Sequence, residues 1–268
     1  MEWDAMLAQL ELDGAMTMPL VDDVVAGLAA RVDWSSVRGV LDVGCGPGVI
    51  AAALARHAPS AQVIALDASA PLLERVAARA AEEGLAHRVE TVQAQLDEPL
   101  PHLPEVDIVW ASMVLHHVER PTAVLTDLHR LLRPGGVIVL VEFAEPPQVL
   151  PTGDPAAGAW DRLQREVAAA RAHHLGLDPV TVDWPPLLHQ AGFDDVTDAV
   201  RQAMHPAPLA PTPRRWLASH LGRNLEWVSE RLERHDIEAL TALAAQAPER
   251  DDLFVRLARR VLTAPSSR

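Results

Sequence analysis

Asp42, the glycines Gly44, Gly46 and Gly48, Asp67, the pair His116 and His117, and Glu142 are the residues whose types and spacing suggest chemistry. The glycines fall in Leu41-Asp42-Val43-Gly44-Cys45-Gly46-Pro47-Gly48, where an apolar run enters a tight turn and Val49–Leu54 leaves it as a helix. Strand, turn and helix in that order bring backbone N–H groups and a helix N-terminus to a ligand. Glycine is needed because a Cβ would obstruct both the turn and the ligand's approach. A pyrophosphate suits this turn badly. The spacing is G-x-G-x-G, Pro47 removes an N–H donor, and the Asp42 carboxylate would repel phosphate. A ligand with an ammonium group suits Asp42 better. Asp67 ends the next apolar run, 23 residues past Gly44, in the place of an acid that accepts two ribose hydroxyls. Nicotinamide enzymes share such an acid, and a helix cap is the structural alternative, since Ser69 and Pro71 follow.

His116 and His117 follow the fourth apolar run, and an imidazole is poised to take a proton near neutral pH. Adjacent residues at a loop or helix start point apart, so at most one of them faces a reacting group while the other packs or caps. His116 is the expected base and His117 the packing partner. Glu142, late in the fifth apolar run, is the rival base or an ordinary strand-end carboxylate. Met113 and Val114 are apolar and suited to wall a ligand, and Met16 and Met18 bring flexible thioether chains to a surface that closes over one, or serve as core filler.

Val40-Leu41-Asp42-Val43-Gly44-Cys45-Gly46-Pro47-Gly48 resembles motif I of the class I S-adenosylmethionine-dependent methyltransferases. Leu115-His116-His117-Val118 and Leu131-Leu132-Arg133-Pro134-Gly135-Gly136 resemble the small-molecule branch of that family, and the likeness runs over about residues 38–143. The resemblance implies cofactor contacts from Asp42, Gly44, Cys45, Gly46, Gly48, Asp67, Ala68, Ala111 and Ser112. It also implies adenine contact at Gln95 and Leu96. The family usually carries Asp where Gln95 stands, yet an amide can accept from N6 and donate to N1; Asp97 is the substitute if the loop shifts. The Asn/Asp-Pro-Pro-aromatic motif of base-modifying enzymes and the paired-glutamate loop of the arginine enzymes are absent after the fourth strand. Acceptor contacts are expected from Met16, Met18, Met113 and His116.

Elements must hold these residues in place. Apolar strands are expected at Gly39–Val43, Gln62–Leu66, Val89–Gln93, Asp107–Ala111 and Val137–Phe143, alternating with helices at Val49–His57, Ser69–Glu83 and Pro121–Leu132. That alternation implies a doubly wound, mostly parallel α/β sheet, Rossmann-like and seven-stranded by the resemblance, with a helical cap or lid. Ahead of it, Leu20–Ala29 has helical spacing and a shorter helix spans about Met6–Leu12. Behind it come helices near Trp160–His174 and Pro185–Ala191, a sixth strand at Phe193–Arg201, helices at Trp216–Leu221 and Leu225–Leu243, and a last strand at Leu253–Leu262. The organisation is one methyltransferase domain over 1–268: a cap at 1–35, a cofactor-binding core at 38–145, and a substrate-side half at 146–268 with a helical insertion at about 202–250.

Composition narrows the partners. A formal net charge of −14 argues against nucleic acid and anionic membranes, which are bound through clustered Lys and Arg. No apolar run reaches the length of a bilayer span, the first residues are acidic, and a single cysteine fits a reducing cytoplasm. A small metabolite, as in secondary metabolism, is the expected substrate, and a homodimer is compatible. S-adenosylmethionine is the expected cofactor, S-adenosylhomocysteine its product, and methyl transfer to oxygen the first expectation, with carbon and nitrogen open. No metal is expected, because His173, His174, His189 and His205 lack compact ligand spacing. A nicotinamide-dependent oxidoreductase and a non-catalytic cofactor-binding protein are the alternatives.

Overall fold

The computed structural model describes residues 3–266. Its centre is a seven-stranded sheet in the order β3-β2-β1-β4-β5-β7-β6, with β1 Gly39–Val43, β2 Gln62–Asp67, β3 Val89–Gln93, β4 Val106–Ser112, β5 Leu132–Phe143, β6 Thr197–His205 and β7 Val255–Pro265. The pairs among β1 to β5 are parallel and β7 runs antiparallel to β5, so the doubly wound, mostly parallel sheet is present as expected. All of β1 is buried, and Val40, Leu41 and Val43 share the core with Ile64, Leu66, Val109 and Ile138. Burial on both faces explains why these strands read as continuous apolar runs. Strand order reverses at β1, and in open α/β sheets the crevice at the carboxyl ends beside such a point is where ligands bind.

Helices α2 Val49–His57, α3 Ala70–Glu82 and α4 Pro121–Leu131 lie where the sequence places them. The Ser69 side chain accepts from the Leu72 N–H at the start of α3, with proline in the first turn, so the cap is of the expected kind. Four expectations shift. α1 is one continuous helix, Trp3–Leu28, carrying Pro19 inside it instead of breaking between two helices. Complete burial of Met16, Leu20 and Val21 offsets the bond and clash that an interior proline costs. β5 starts at Leu132, which pairs with Val106 across a register shift, so the Arg133-Pro134-Gly135-Gly136 segment bulges within the strand. β6 starts four residues late. Phe193 meets Ser266 in an isolated bridge and packs edge-on to His129 at 4.7 Å, while the strand beyond it is largely exposed and lacks apolar alternation. Finally, α7 Pro211–Val228 runs through Gly222, and the break before α8 Arg234–Gln246 falls at 229–233.

The chain divides into two compact units. One comprises the residues through Pro19, Ala144–Thr181 and Gln202–Ala258, and it holds α5 Ala157–Leu175, α7 and α8 packed on one another. A half-buried polar lattice joins its elements: Trp216 Nε1 donates to Asp13 at 2.7 Å, Gln9 and Ser219 meet at 2.5 Å, and His220 stacks on Trp216 at 4.6 Å. The other comprises Leu20–Phe143, Val182–Arg201 and the chain from Arg259, and holds β1 to β5 with α2, α3, α4 and α6 Trp184–Gln190. The cap expected over 1–35 is therefore divided at Pro19. No described helix is long and apolar enough to cross a membrane.

Candidate functional site

The turn after β1 is built for close approach. Gly44, Gly46 and Gly48 all have positive φ, at 63°, 54° and 77°. A Cβ on Gly44 would lie 2.3 Å from Val114 Cγ2, and one on Gly48 would lie 2.9 Å from Val76 Cγ2. Both space and backbone therefore demand glycine there. The Cys45 N–H donates to the Leu66 carbonyl at 3.0 Å, and Arg79 Nε donates to the Pro47 carbonyl at 3.1 Å, fastening the turn to β2 and α3.

Asp67 accepts from the Gly46 N–H through Oδ2 at 2.9 Å and from the Ser69 N–H through Oδ1 at 2.9 Å. The cap of α3 is Ser69 itself, and the Asp67 carboxylate, held by two amides, keeps lone pairs for hydroxyls besides. Asp42 is 1% exposed, and its Oδ2 has no hydrogen-bond partner. Burial, reinforced by the charge of Asp67 and opposed by the Ala51 N–H, pushes its carboxyl up to about 8. Burial, with Asp42 and Asp67, likewise raises the Cys45 thiol and keeps it neutral. An orphaned acid beside a turn with no donor at Pro47 suits a cationic ligand, so the residues present fit an adenosyl sulfonium cofactor with an ammonium group.

A cleft of about 160 Å³ opens beside this turn, lined among others by Gly44, Asp67, Ala68, Gln95, Leu96 and Val118. Asp97 also reaches it, but its Oδ1 accepts the Glu119 N–H at 3.0 Å and the Arg120 N–H at 3.4 Å, tying the loop after β3 to the start of α4. Gln95 is exposed, and its side chain has no hydrogen-bond partner among the described residues. Of the two candidates for a purine edge, Gln95 is the one left uncommitted. Val118 was not singled out by the sequence reading; its only signal is that it follows the two histidines.

β4 delivers the histidines through a sharp corner. Met113 has φ 57°, a conformation rare for a non-glycine residue, and its N–H donates to the Val141 carbonyl at 2.8 Å. A 3₁₀ turn, Leu115–His117, follows. His116 is buried at 5% exposure, and its Nδ1 lies 2.6 Å from Glu142 Oε2. The other Glu142 oxygen accepts the Leu115 N–H at 3.0 Å. The two rival bases are therefore one hydrogen-bonded pair. An ionised carboxylate only accepts, so Nδ1 carries the hydrogen and Nε2 is the ring's acceptor. His117, expected to pack, is exposed and lines the cleft, its ring 4.2 Å from that of His116.

The remaining candidates scatter. Ala111 is buried within β4 and Ser112 is half-buried at its end; neither belongs to the cleft lining. Met16 and Met18 belong to the other unit, where Met16 is fully buried and its carbonyl meets His205 Nε2 at 2.9 Å. His189 meets the Phe193 carbonyl at 2.9 Å, and His173 and His174 are exposed at the end of α5. Arg214 is a staple, donating to the carbonyls of Ala247, Pro248 and Arg250 at 2.6, 2.8 and 3.1 Å. Among the described residues no three His, Cys, Asp or Glu side chains gather as metal ligands.

Comparison with known proteins agrees with this geometry. A family model described as a methyltransferase domain matches residues 40–136. The chain is 36% identical over 148 residues to trans-aconitate 2-methyltransferase of Azoarcus sp. (strain BH72), covering 54% of each chain. It is 37% identical over 119 residues to aclacinomycin 10-hydroxylase RdmB of Streptomyces purpurascens, covering 40% of this chain and 31% of that one. The chain thus spans about half the length, or less, of these curated relatives. Among solved structures, phosphoethanolamine N-methyltransferase 2 of Haemonchus contortus, in complex with S-adenosyl-L-methionine, shares the fold. Its TM-score is 0.55 at 16% identity, over 92% of this chain and 53% of that one. Over residues 40–136 the sheet order, glycine turn and matched methyltransferase domain make the chain similar to the class I S-adenosylmethionine-dependent methyltransferases.

Proposed function

We propose that the chain transfers a methyl group from S-adenosylmethionine to a small, fairly apolar metabolite, with a hydroxyl oxygen as the first choice of acceptor. The observation that carries this reading is the cleft beside the glycine turn, lined by both Asp67 and Gln95. When bound, the cofactor supplies a methyl group activated by a sulfonium sulfur. Asp67 accepts its ribose hydroxyls, Asp42 takes its ammonium group, and Leu96 and Val118 give the purine an apolar seat.

Methyl transfer disperses positive charge, so the protein's work is alignment and exclusion of water. A hydroxyl acceptor must also lose its proton, and His116 is the group able to take it at Nε2. Glu142 holds Nδ1–H and stabilises the imidazolium that forms, the relation of an orienting acid to a base. The C-methylation and N-methylation alternatives use the same residues, whereas a carboxylate acceptor would need no base.

Calorimetric titration with S-adenosylmethionine, S-adenosylhomocysteine and NAD tests the cofactor. Binding of the first two without NAD is expected; tight NAD binding alone would overturn the reading. Asp67→Ala should weaken binding by about 1–3 kcal/mol. Asp67→Asn retains an acceptor for only one of the Gly46 and Ser69 amides, so the melting temperature of each variant without ligand separates loosening of the turn from ligand loss. A second reading rests on the hydroxylase name of the Streptomyces relative: a chain that binds the cofactor without transferring its methyl. Binding of S-adenosylhomocysteine with no labelled methyl delivered to any member of a panel of phenols, enols and carboxylic acids would favour it.

A further inference from the structure

We infer that Gln95 reads the six-membered edge of the cofactor's purine through its amide, and that this makes the site tolerant of hypoxanthine in place of adenine. The inference rests on the cofactor reading above and concerns which bases the cleft accepts. The backbone around Gln95 is pinned: the Ala94 N–H donates to the Asp67 carbonyl at 3.1 Å, and the Glu98 N–H donates to the Gln95 carbonyl at 3.2 Å. With Asp97 committed to Glu119 and Arg120, Gln95 is the uncommitted one of the two polar side chains on the loop after β3 and lines the cleft beside Leu96 and Val118.

Adenine presents a donor at N6 and an acceptor at N1. Hypoxanthine presents the reverse, an acceptor at O6 and a donor at N1. A carboxylate only accepts, so it would pair with the adenine amino group and oppose O6. A primary amide carries one acceptor and two donors, and half a turn about its last torsion exchanges them. The Gln95 side chain has no hydrogen bond to the rest of the protein that would fix one orientation. Either edge can therefore be satisfied, at the cost of the amide rotating.

Competition of S-adenosylhomocysteine with S-inosylhomocysteine, measured by calorimetry on the full chain and on Gln95→Glu, Gln95→Asp and Gln95→Ala, tests this. The unsubstituted chain should bind the two ligands within about tenfold of each other. Gln95→Glu and Gln95→Asp should favour the adenine ligand by a further 5–100-fold, roughly the discrimination carried by one paired base edge. Gln95→Ala should weaken both ligands alike. Rejection of the hypoxanthine ligand by the unsubstituted chain to the same extent as by Gln95→Glu would overturn the inference while leaving the cofactor reading intact. Failure of every variant and of the unsubstituted chain to bind either ligand would instead overturn the cofactor reading, and this inference with it. Gln95 is exposed, so these substitutions leave the core untouched.

Discussion

Asp42 sets the pH behaviour expected at the scale of a single residue. Burial and the neighbouring Asp67 raise the Asp42 carboxyl from 3.8 to about 8, so near neutrality it carries a proton in the free protein. A raised carboxyl opposes folding in its ionised form. The cost is absent below the unfolded value, grows as pH rises, and is complete above about 8. Asp42→Asn is thus expected to raise the melting temperature at pH 8–9, with the gain fading towards pH 4. An ammonium group on the orphaned Oδ2 ionises Asp42, so cofactor binding at pH 7 should release a proton. Binding heats in phosphate and Tris should then differ, and equal heats would sink this assignment. For the buried pair, His116→Ala should lower turnover by roughly 10²–10⁴-fold with cofactor affinity nearly unchanged. Glu142→Gln keeps a partner for Leu115 but loses the charge, so it should lower kcat and shift the pH–rate profile, which a merely structural contact would not do. Full activity in both variants would leave catalysis to alignment alone.

Elements show where sequence was readable. Ser69 with Pro71, and Gly44 to Gly48, carry local signals whose meaning survives any context: an acceptor for a helix start, and backbone that only glycine adopts easily. β1, β2 and β4 were legible to within a residue or so because burial leaves a nearly unbroken apolar run, a reason that does not extend to the edge strand β3 with its exposed Glu90 and Gln93. The two helices expected at Met6–Leu12 and Leu20–Ala29 are one, because the burial of Met16, Leu20 and Val21 that carries α1 through Pro19 is not visible in sequence. β6 misled for the opposite reason: an exposed edge strand has no alternation to find. The pairing of His116 with Glu142 was illegible, since 26 residues separate them and only the β4–β5 register brings them together. Another long-range contact sits at the amino end of β4. Asp107 Oδ2 accepts the Arg38 and Gly39 N–H groups at 2.7 and 2.9 Å and pairs with Arg133 at 3.0 Å. Partial burial opposes ionisation there, but those donors hold the carboxyl below its usual range. Its contribution is present above the unfolded value and lost as pH falls through the lower folded one. Asp107→Asn should cost about 1–3 kcal/mol in urea unfolding at pH 7, with less difference at pH 3. An unchanged midpoint would show that the contact adds nothing.

For the whole molecule, the division into two units bears on what a ligand can order. Gly44, Asp67, Gln95 and His117 all belong to the unit that carries β1 to β5. Hydrogen exchange with and without S-adenosylhomocysteine should therefore show added protection at 42–48, 67–69, 94–97 and 114–118. The lid expected from 1–31 and 202–250 makes a separate demand, that these segments also gain protection. Equal exchange there in both states would remove gating from the account without touching the cofactor site. The resemblance and β1 to β5 were readable because both rest on that one unit. The other unit, rich in Trp, His and amide contacts such as Trp216–Asp13 and Gln9–Ser219, has no comparable motif, and its polar lattice is assembled from segments some two hundred residues apart.

The two amides already on Asp67 have a kinetic side. A carboxylate left free to rotate would have to be frozen by its ligand, at about 0.5–1.5 kcal/mol for each side chain immobilised. Here the Gly46 and Ser69 N–H groups complete that ordering during folding. On the proposed assignment the ribose end of the cofactor would meet a template instead of a search, so that capture would be set by encounter and departure by how many bonds must break together.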